Sequence, residues 1–113
     1  MQIVKKAISL AELTAMAEKR FGDLVKAVVD VEEEVMAVDA DLHADQEALL
    51  LASGSKQENL WGINFYPKIK GEKWLEFDSM INLRPSAGNL SQGVDNPEIQ
   101  KKIKAIVKKL VRK

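Results

Sequence analysis

Apolar residues recur along this chain with two different periods, and the places where the period changes mark its elements. Leu10, Leu13, Met16, Ala17 and Phe21 fall three or four residues apart and form one face of a helix. Ser9 and Glu12 have the S-x-x-E spacing of a capping box, in which hydroxyl and carboxylate satisfy each other's backbone amides. The spacing therefore predicts a helix over 10–21, closed by Gly22 in the left-handed conformation. Val4, Ala7 and Ile8 read as a short strand before it. Near the other end, Asn96-Pro97-Glu98 supplies a cap, a proline for the first helical position and an acidic first turn. Ile99, Ile103, Ile106, Val107 and Leu110 continue as an apolar stripe, which predicts a helix over 97–111.

Between 24 and 38 the two periods compete. Leu24, Val28, Val31, Val35 and Val38 have helical spacing, whereas Ala27, Val29 and Val31, and then Met36, Val38 and Ala40, alternate. Six valines in fifteen residues favour strands, because β-branched side chains lose rotamer freedom on a helix and pack well on a pleated sheet. Antiparallel strands over 25–31 and 35–40 are expected. The Glu32-Glu33-Glu34 connection has none of the Gly, Asn or Asp of a tight hairpin, so a single helix is the competing possibility.

Asp45 to Gly54 reads as a short helix with Asp45 as its cap and Gly54 as its stop. Leu60–Tyr66 and Trp74–Leu83 look like strands, each ended by a proline, Pro67 and Pro85. The stretch 84–95, with its glycines, serines and asparagine, has no period and is expected to be a loop. The whole is one α+β domain over 1–113: an antiparallel sheet of about four or five strands, two main helices packed on one face, and one short helix.

Composition adds less. The 113 residues hold 46% hydrophobic and 30% charged side chains, which excludes disorder by composition. No cysteine is present, so disulfides, thiolate metal sites and a cysteine nucleophile are excluded. The net charge is zero but unevenly placed: residues 1–58 carry twelve acidic and six basic side chains, and 59–113 carry five and eleven. The N-terminus lacks the apolar core of a signal peptide and no run approaches a membrane span, so a cytoplasmic protein without a membrane partner is expected.

Three groups of residues could carry chemistry. On a strand Asp41, His43 and Asp45 would share one side, where two carboxylates could hold a metal ion with the imidazole or tune it as a base. Glu47 and Asp78 join His43 and Asp45 as candidate acids or bases. The same residues fit a bland role, with Asp45 capping a helix and His43 at a strand end. Second, Arg84 offers a planar donor fork beside a loop containing Ser86, Gly88, Asn89 and Ser91, with Asn82 next to it on the strand face; together they suit a phosphate or carboxylate. An ordinary pairing of Arg84 with Asp78 would serve structure alone. Third, Asn64 lies on the strand face opposite Trp61, Ile63 and Phe65, beside Gly62 and Tyr66. Trp61 and Trp74 themselves read as core anchors. The lysines of the last helix could meet a polyanion, but the neutral total and the absence of interleaved aromatics argue against nucleic acid.

Several strings together resemble a family of short prokaryotic proteins described as a domain of unknown function. They are Leu42-His43-Ala44-Asp45, Gly54-Ser55, Leu60-Trp61-Gly62, Ile81-Asn82-Leu83-Arg84-Pro85, Asn89 and Ser91. The resemblance implies that His43, Asp45, Glu47, Asn82, Arg84, Asn89 and Ser91 belong to the family's motifs, and it gives them no role. The family pattern has an arginine where Leu90 stands here, which weakens an anion site built on two arginines.

With no complete set of nucleophile, base and oxyanion donors, and no cofactor motif, the expected function is a binding or regulatory module for a small anion or a protein partner. A small hydrolase-like enzyme or metal-binding protein using His43 is the alternative. A homodimer joining the acidic stretch of one copy to the basic helix of another is the third.

Overall fold

All 113 residues are described by a computed structural model. The chain forms β1 (Gln2–Val4), β2 (Ile8–Ser9), α1 (Leu10–Arg20), β3 (Val25–Asp30), β4 (Val35–Val38) and α2 (His43–Ala52). It continues through β5 (Leu60–Phe65), β6 (Leu75–Glu76), α3 (Pro97–Leu110) and β7 (Val111–Arg112). Five strands make one antiparallel sheet in the order β1-β4-β3-β5-β6, and β2 and β7 pair in parallel as a separate clasp between the start of α1 and the end of α3. This is an α+β fold.

The alternation within each strand decides which helix covers which face. Val25, Ala27, Val29, Met36, Val38, Trp61, Ile63 and Phe65 pack with Leu13 and Ala17 of α1 and Ile103, Ile106, Val107 and Leu110 of α3. Val28, Ala37 and Leu60 face the other way, against Leu50 of α2. Each of these buried aliphatic side chains contributes roughly 2 kcal/mol of gross transfer energy, so the sheet is fixed from both sides. The capping box at Ser9 and Glu12 and the Asn96 cap of α3 are both present. Gly22, at a φ of 93°, ends α1 as expected, with its amide donating to the Ala17 carbonyl.

Residues 24–39 form the hairpin β3–β4, and the single-helix possibility is excluded. The turn does without glycine because Asp30 organises it from below. One carboxylate oxygen accepts the amides of Glu32 and Glu33 at 2.9 and 3.0 Å, and the other accepts the Ser55 hydroxyl at 2.6 Å. Glu34 takes the left-handed position, φ 56°, and its amide donates back to the Asp30 carbonyl. Lys109 of α3 reaches the Glu34 carboxylate at 3.1 Å, so acidic turn and basic helix already meet within one molecule.

Three expectations are corrected. The opening strand is two separate short ones, split between the sheet and the clasp. Helix α2 starts at His43, not Asp45, and its cap position is Leu42 with no side-chain hydrogen bond; Asp45 lies inside the first turn. The strand expected over Trp74–Leu83 shrinks to Leu75–Glu76, because the chain then leaves the sheet for a 3-10 turn over Met80–Asn82. The edge of β5 is completed otherwise. The Asn82 carboxamide accepts the Gly62 amide at 2.8 Å and donates to the Gly62 carbonyl at 2.9 Å, standing in for one residue of strand. Its NH₂ also donates to the Gln92 carbonyl. The Asn89 NH₂ donates in turn to the carbonyls of Asn82, Ser91 and Gly93, and its oxygen accepts the Asp95 amide.

Two measurements test this reading. Asp30→Ala removes a buried carboxylate that three donors of the turn and its neighbour share, so chemical denaturation should show a loss of about 3 kcal/mol; a loss below about 1 kcal/mol would mean the turn holds itself. At Gly62 an added Cβ would lie 2.4 Å from the Ser79 Cβ. Gly62→Ala should therefore cost about 3 kcal/mol, and adding Ser79→Gly should recover a large part of it. Additive losses would show that the close approach is not the cause.

Candidate functional site

The polar loop after Asn82 is held rigidly, and this places Arg84. Pro85–Ala87 forms a 3-10 turn, and Gly88 at φ 84° reverses the chain so that Asn89 and Arg84 exchange backbone hydrogen bonds at 2.9 and 3.1 Å. The Arg84 guanidinium lies over the Trp61 ring, 4.7 Å from its centroid. Its Nε donates to the Ile81 carbonyl at 3.1 Å and one terminal nitrogen donates to the Leu60 carbonyl. The other terminal nitrogen, Nη1, has no partner in the protein. Burial lowers the Arg84 pKa from its ordinary value, and the nearby charge of Glu47 opposes that effect. It remains a cation at neutral pH, since an arginine starts so far above that range.

Around it opens a cleft of about 700 Å³, at the end of the sheet where β5 begins. Trp61 and Arg84 form its floor region together with Glu47 from α2 and Glu58 from the turn before β5. Met80, Leu83 and Ile99 supply apolar lining, with Met80 68% exposed. Two buried polar atoms of lining residues have no protein partner: the Trp61 indole Nε1 and the Glu47 Oε2. Trp61 as a whole is only 6% exposed. A buried donor and a buried acceptor left unmatched are costly, and here both belong to the walls of one cleft.

Of the residues singled out in the sequence, Arg84, Ser86, Asn89 and Glu47 line this cleft. Asn82 does not; its side chain is spent on Gly62 of β5 and on the Gln92 carbonyl. The Ser91 hydroxyl donates to Asp95 at 2.5 Å, and Asp95 also accepts the Leu90 amide. Those hydrogen bonds, the Ser91 one foremost, hold the Asp95 carboxyl below its ordinary pKa. The amides of Ala87, Gly88, Asn89 and Leu90 all have acceptors within the loop, so the loop offers no amide cradle to an oxyanion. Asn64 lies elsewhere, donating to Glu76 at 2.9 Å and to the Asp78 carbonyl. Tyr66 donates to the same Glu76 oxygen; desolvation first, then that carboxylate, raises its pKa.

His43 and the acidic residues near it are dispersed. Asp41 is taken by Arg20, which spans Asp39 and Asp41 with two contacts of 2.8 Å. Asp45 lies in a separate shallow depression with Arg20 and Met1. The His43 ring is buried, and its Nε2–H donates to the Ile63 carbonyl at 2.8 Å. No group of three metal-ligating side chains comes together. His43 is not in the wall of the Arg84 cleft, so an acid–base site combining the two is not assembled. Asp78 is exposed; its charge acts on His43, and it makes no hydrogen bond or ion pair with Arg84. Trp61 is the residue that sequence reasoning assigned to the core alone; the adjoining Arg84 face gives it a second role. Glu58, Ile99 and Asp95 carried no signal, because only the fold brings three separate segments to the end of β5.

A family described as "Protein of unknown function (DUF5674)" matches residues 2–110. No match is found among curated proteins or among solved structures. No helix is long and apolar enough to cross a membrane.

Burial has a consequence for pH. Desolvation, the largest effect, lowers the His43 pKa from 6.5, while the Ile63 carbonyl opposes it. The unfolded chain thus takes up a proton near pH 6.5 that the folded protein resists. Stability should be full above that pH and fall as pH drops below it, until the folded ring also titrates. Urea melts of the wild type between pH 7.5 and 5 should show this decline, and His43→Gln should flatten it; equal slopes in both proteins would place the titration elsewhere.

Proposed function

The chain belongs to the DUF5674 family, and from that premise we propose that it is a binding module whose ligand site is the Arg84 cleft. The observation that supports this reading is the coincidence of three unmatched groups on its walls. Arg84 Nη1, the Trp61 indole N–H and Glu47 Oε2 all lack protein partners. Polar atoms inside folded proteins are ordinarily satisfied; Arg84 Nη1 can be met directly from the cleft, and the two enclosed atoms by a ligand or water once the side chains around them shift. The cleft's size and mixed lining are those of small-molecule sites, which combine apolar walls with a few fixed polar groups.

Catalysis gains no support from the arrangement. The cleft holds no nucleophile beside a base, and the one histidine is neutral and elsewhere. Arg84 instead acts as a pre-positioned donor. Two backbone carbonyls and the indole face fix its plane, so a ligand carboxylate or other acceptor meets it with little further loss of side-chain freedom. Arg84 is the single cation of the cleft.

The experiment is a thermal-shift panel on the wild type and Arg84→Lys, with inorganic phosphate, sulfate, carboxylic acids, amines, amino acids and nucleotides. At least one class should raise the wild-type Tm, and Arg84→Lys, which keeps the charge but loses the planar fork, should lose most of that shift. Equal shifts in both proteins, or none in either, would make the cleft a structural feature only.

A further inference from the structure

Resting on that reading of the cleft, we propose that its ligand is a small zwitterion on an apolar skeleton: an ammonium and a carboxylate carried together, as in a free aliphatic amino acid. Arg84 is the only cation of the cleft wall, against the carboxylates of Glu47, Glu58 and Asp95. Asp95 is committed to Leu90 and Ser91, whereas Glu47 and Glu58 make no hydrogen bond or salt bridge within the protein. Glu47 is close enough for its charge to act on Arg84, yet the two do not pair.

An inorganic anion would meet one guanidinium inside a surplus of negative charge. A simple cation would satisfy Glu47 but leave Arg84 Nη1 unmatched. A zwitterion matches both charges at once: its carboxylate accepts from Arg84 Nη1, and its ammonium meets the unpaired Glu47 carboxylate, with Glu58 adding long-range attraction. Arg84 and Glu47 are both half-buried, so pairing each with an opposite charge of the ligand offsets part of the desolvation they already bear. Met80, Ile81, Leu83 and Ile99 line the remainder and suit an aliphatic side chain.

Calorimetric titration with three related probes tests the assignment: L-leucine, 3-methylbutylamine, which lacks the carboxylate, and 4-methylpentanoic acid, which lacks the ammonium. Leucine should bind at least about tenfold more tightly than either half-ligand. Glu47→Gln should erase its advantage over the acid, and Arg84→Lys should reduce its advantage over the amine. The amine or the acid binding as tightly as leucine overturns the zwitterion assignment. If none of the three binds but another class in the thermal-shift panel stabilises the wild type through Arg84, the zwitterion assignment falls and the binding module stands. If nothing binds at all, both fall. Circular dichroism of each variant, together with its melting temperature, separates a lost contact from a lost fold.

Discussion

The exposed flank of β5 must be closed without a strand, and much of the molecule is arranged around that constraint. Strand β6 pairs with β5 only through Asn64 and Phe65. Beyond that point Gly62 presents an amide and a carbonyl that burial would leave unsatisfied, at a cost of a few kcal/mol. The Asn82 carboxamide is shaped to answer both, since one planar group carries a donor and an acceptor side by side. The segment that carries Asn82 can pack this close only because position 62 has no side chain: Ser79 occupies the space a Cβ would need. Asn82 is then fixed by Asn89, and Asn89 by the segment up to Asp95. A line of buried amides thus replaces a strand.

That replacement is what creates a concave surface. A regular strand beside β5 would have continued the sheet and covered its edge. The 3-10 turns over Met80–Asn82 and Pro85–Ala87 instead lift the chain away, leave Met80 and Leu83 exposed, and lay Arg84 across Trp61. Glu47 comes from α2, on the opposite sheet face from α3, which contributes Ile99. The cleft therefore gathers groups from both layers of the fold at the one place where the sheet stops short. The polar residues around it divide accordingly: Asn82, Asn89, Ser91 and Asp95 hold the loop in place, while Arg84, Trp61 and Glu47 keep unmatched atoms.

This division explains what could be read from the sequence. Helices α1 and α3 were legible because their caps and apolar stripes are local signals, and the valine-rich hairpin because β-branched residues reveal a strand without their neighbours. The turn between β3 and β4 was not, since its organising residue, Asp30, sits at the strand end and needs Ser55 from a distant segment. Helix α2 begins a turn's fraction early because His43 is used as a buried, neutral side chain rather than a polar strand end. The alternation from Phe77 to Leu83 imitates a strand, but Asn82 alternates inward to serve as backbone, and no local period distinguishes the two uses. Arg84 stood out by its chemistry. Its partners pointed elsewhere: a tryptophan reads as core, and Glu47 reads as a candidate acid or base beside His43, not as a neighbour of Arg84.

The most direct test of this account is amide hydrogen exchange at Gly62 in wild type and Asn82→Asp, followed by NMR. The substitution keeps size but replaces the NH₂ with an oxygen that faces the Gly62 and Gln92 carbonyls. The account predicts that slow exchange at Gly62 is lost, together with protection at Arg84 and Asn89, while Val28 and Ile63 in the interior of the sheet stay protected. Unchanged protection at Gly62, Arg84 and Asn89 would contradict it, showing that the edge of β5 and the loop that carries Arg84 are held by something other than the amide of Asn82.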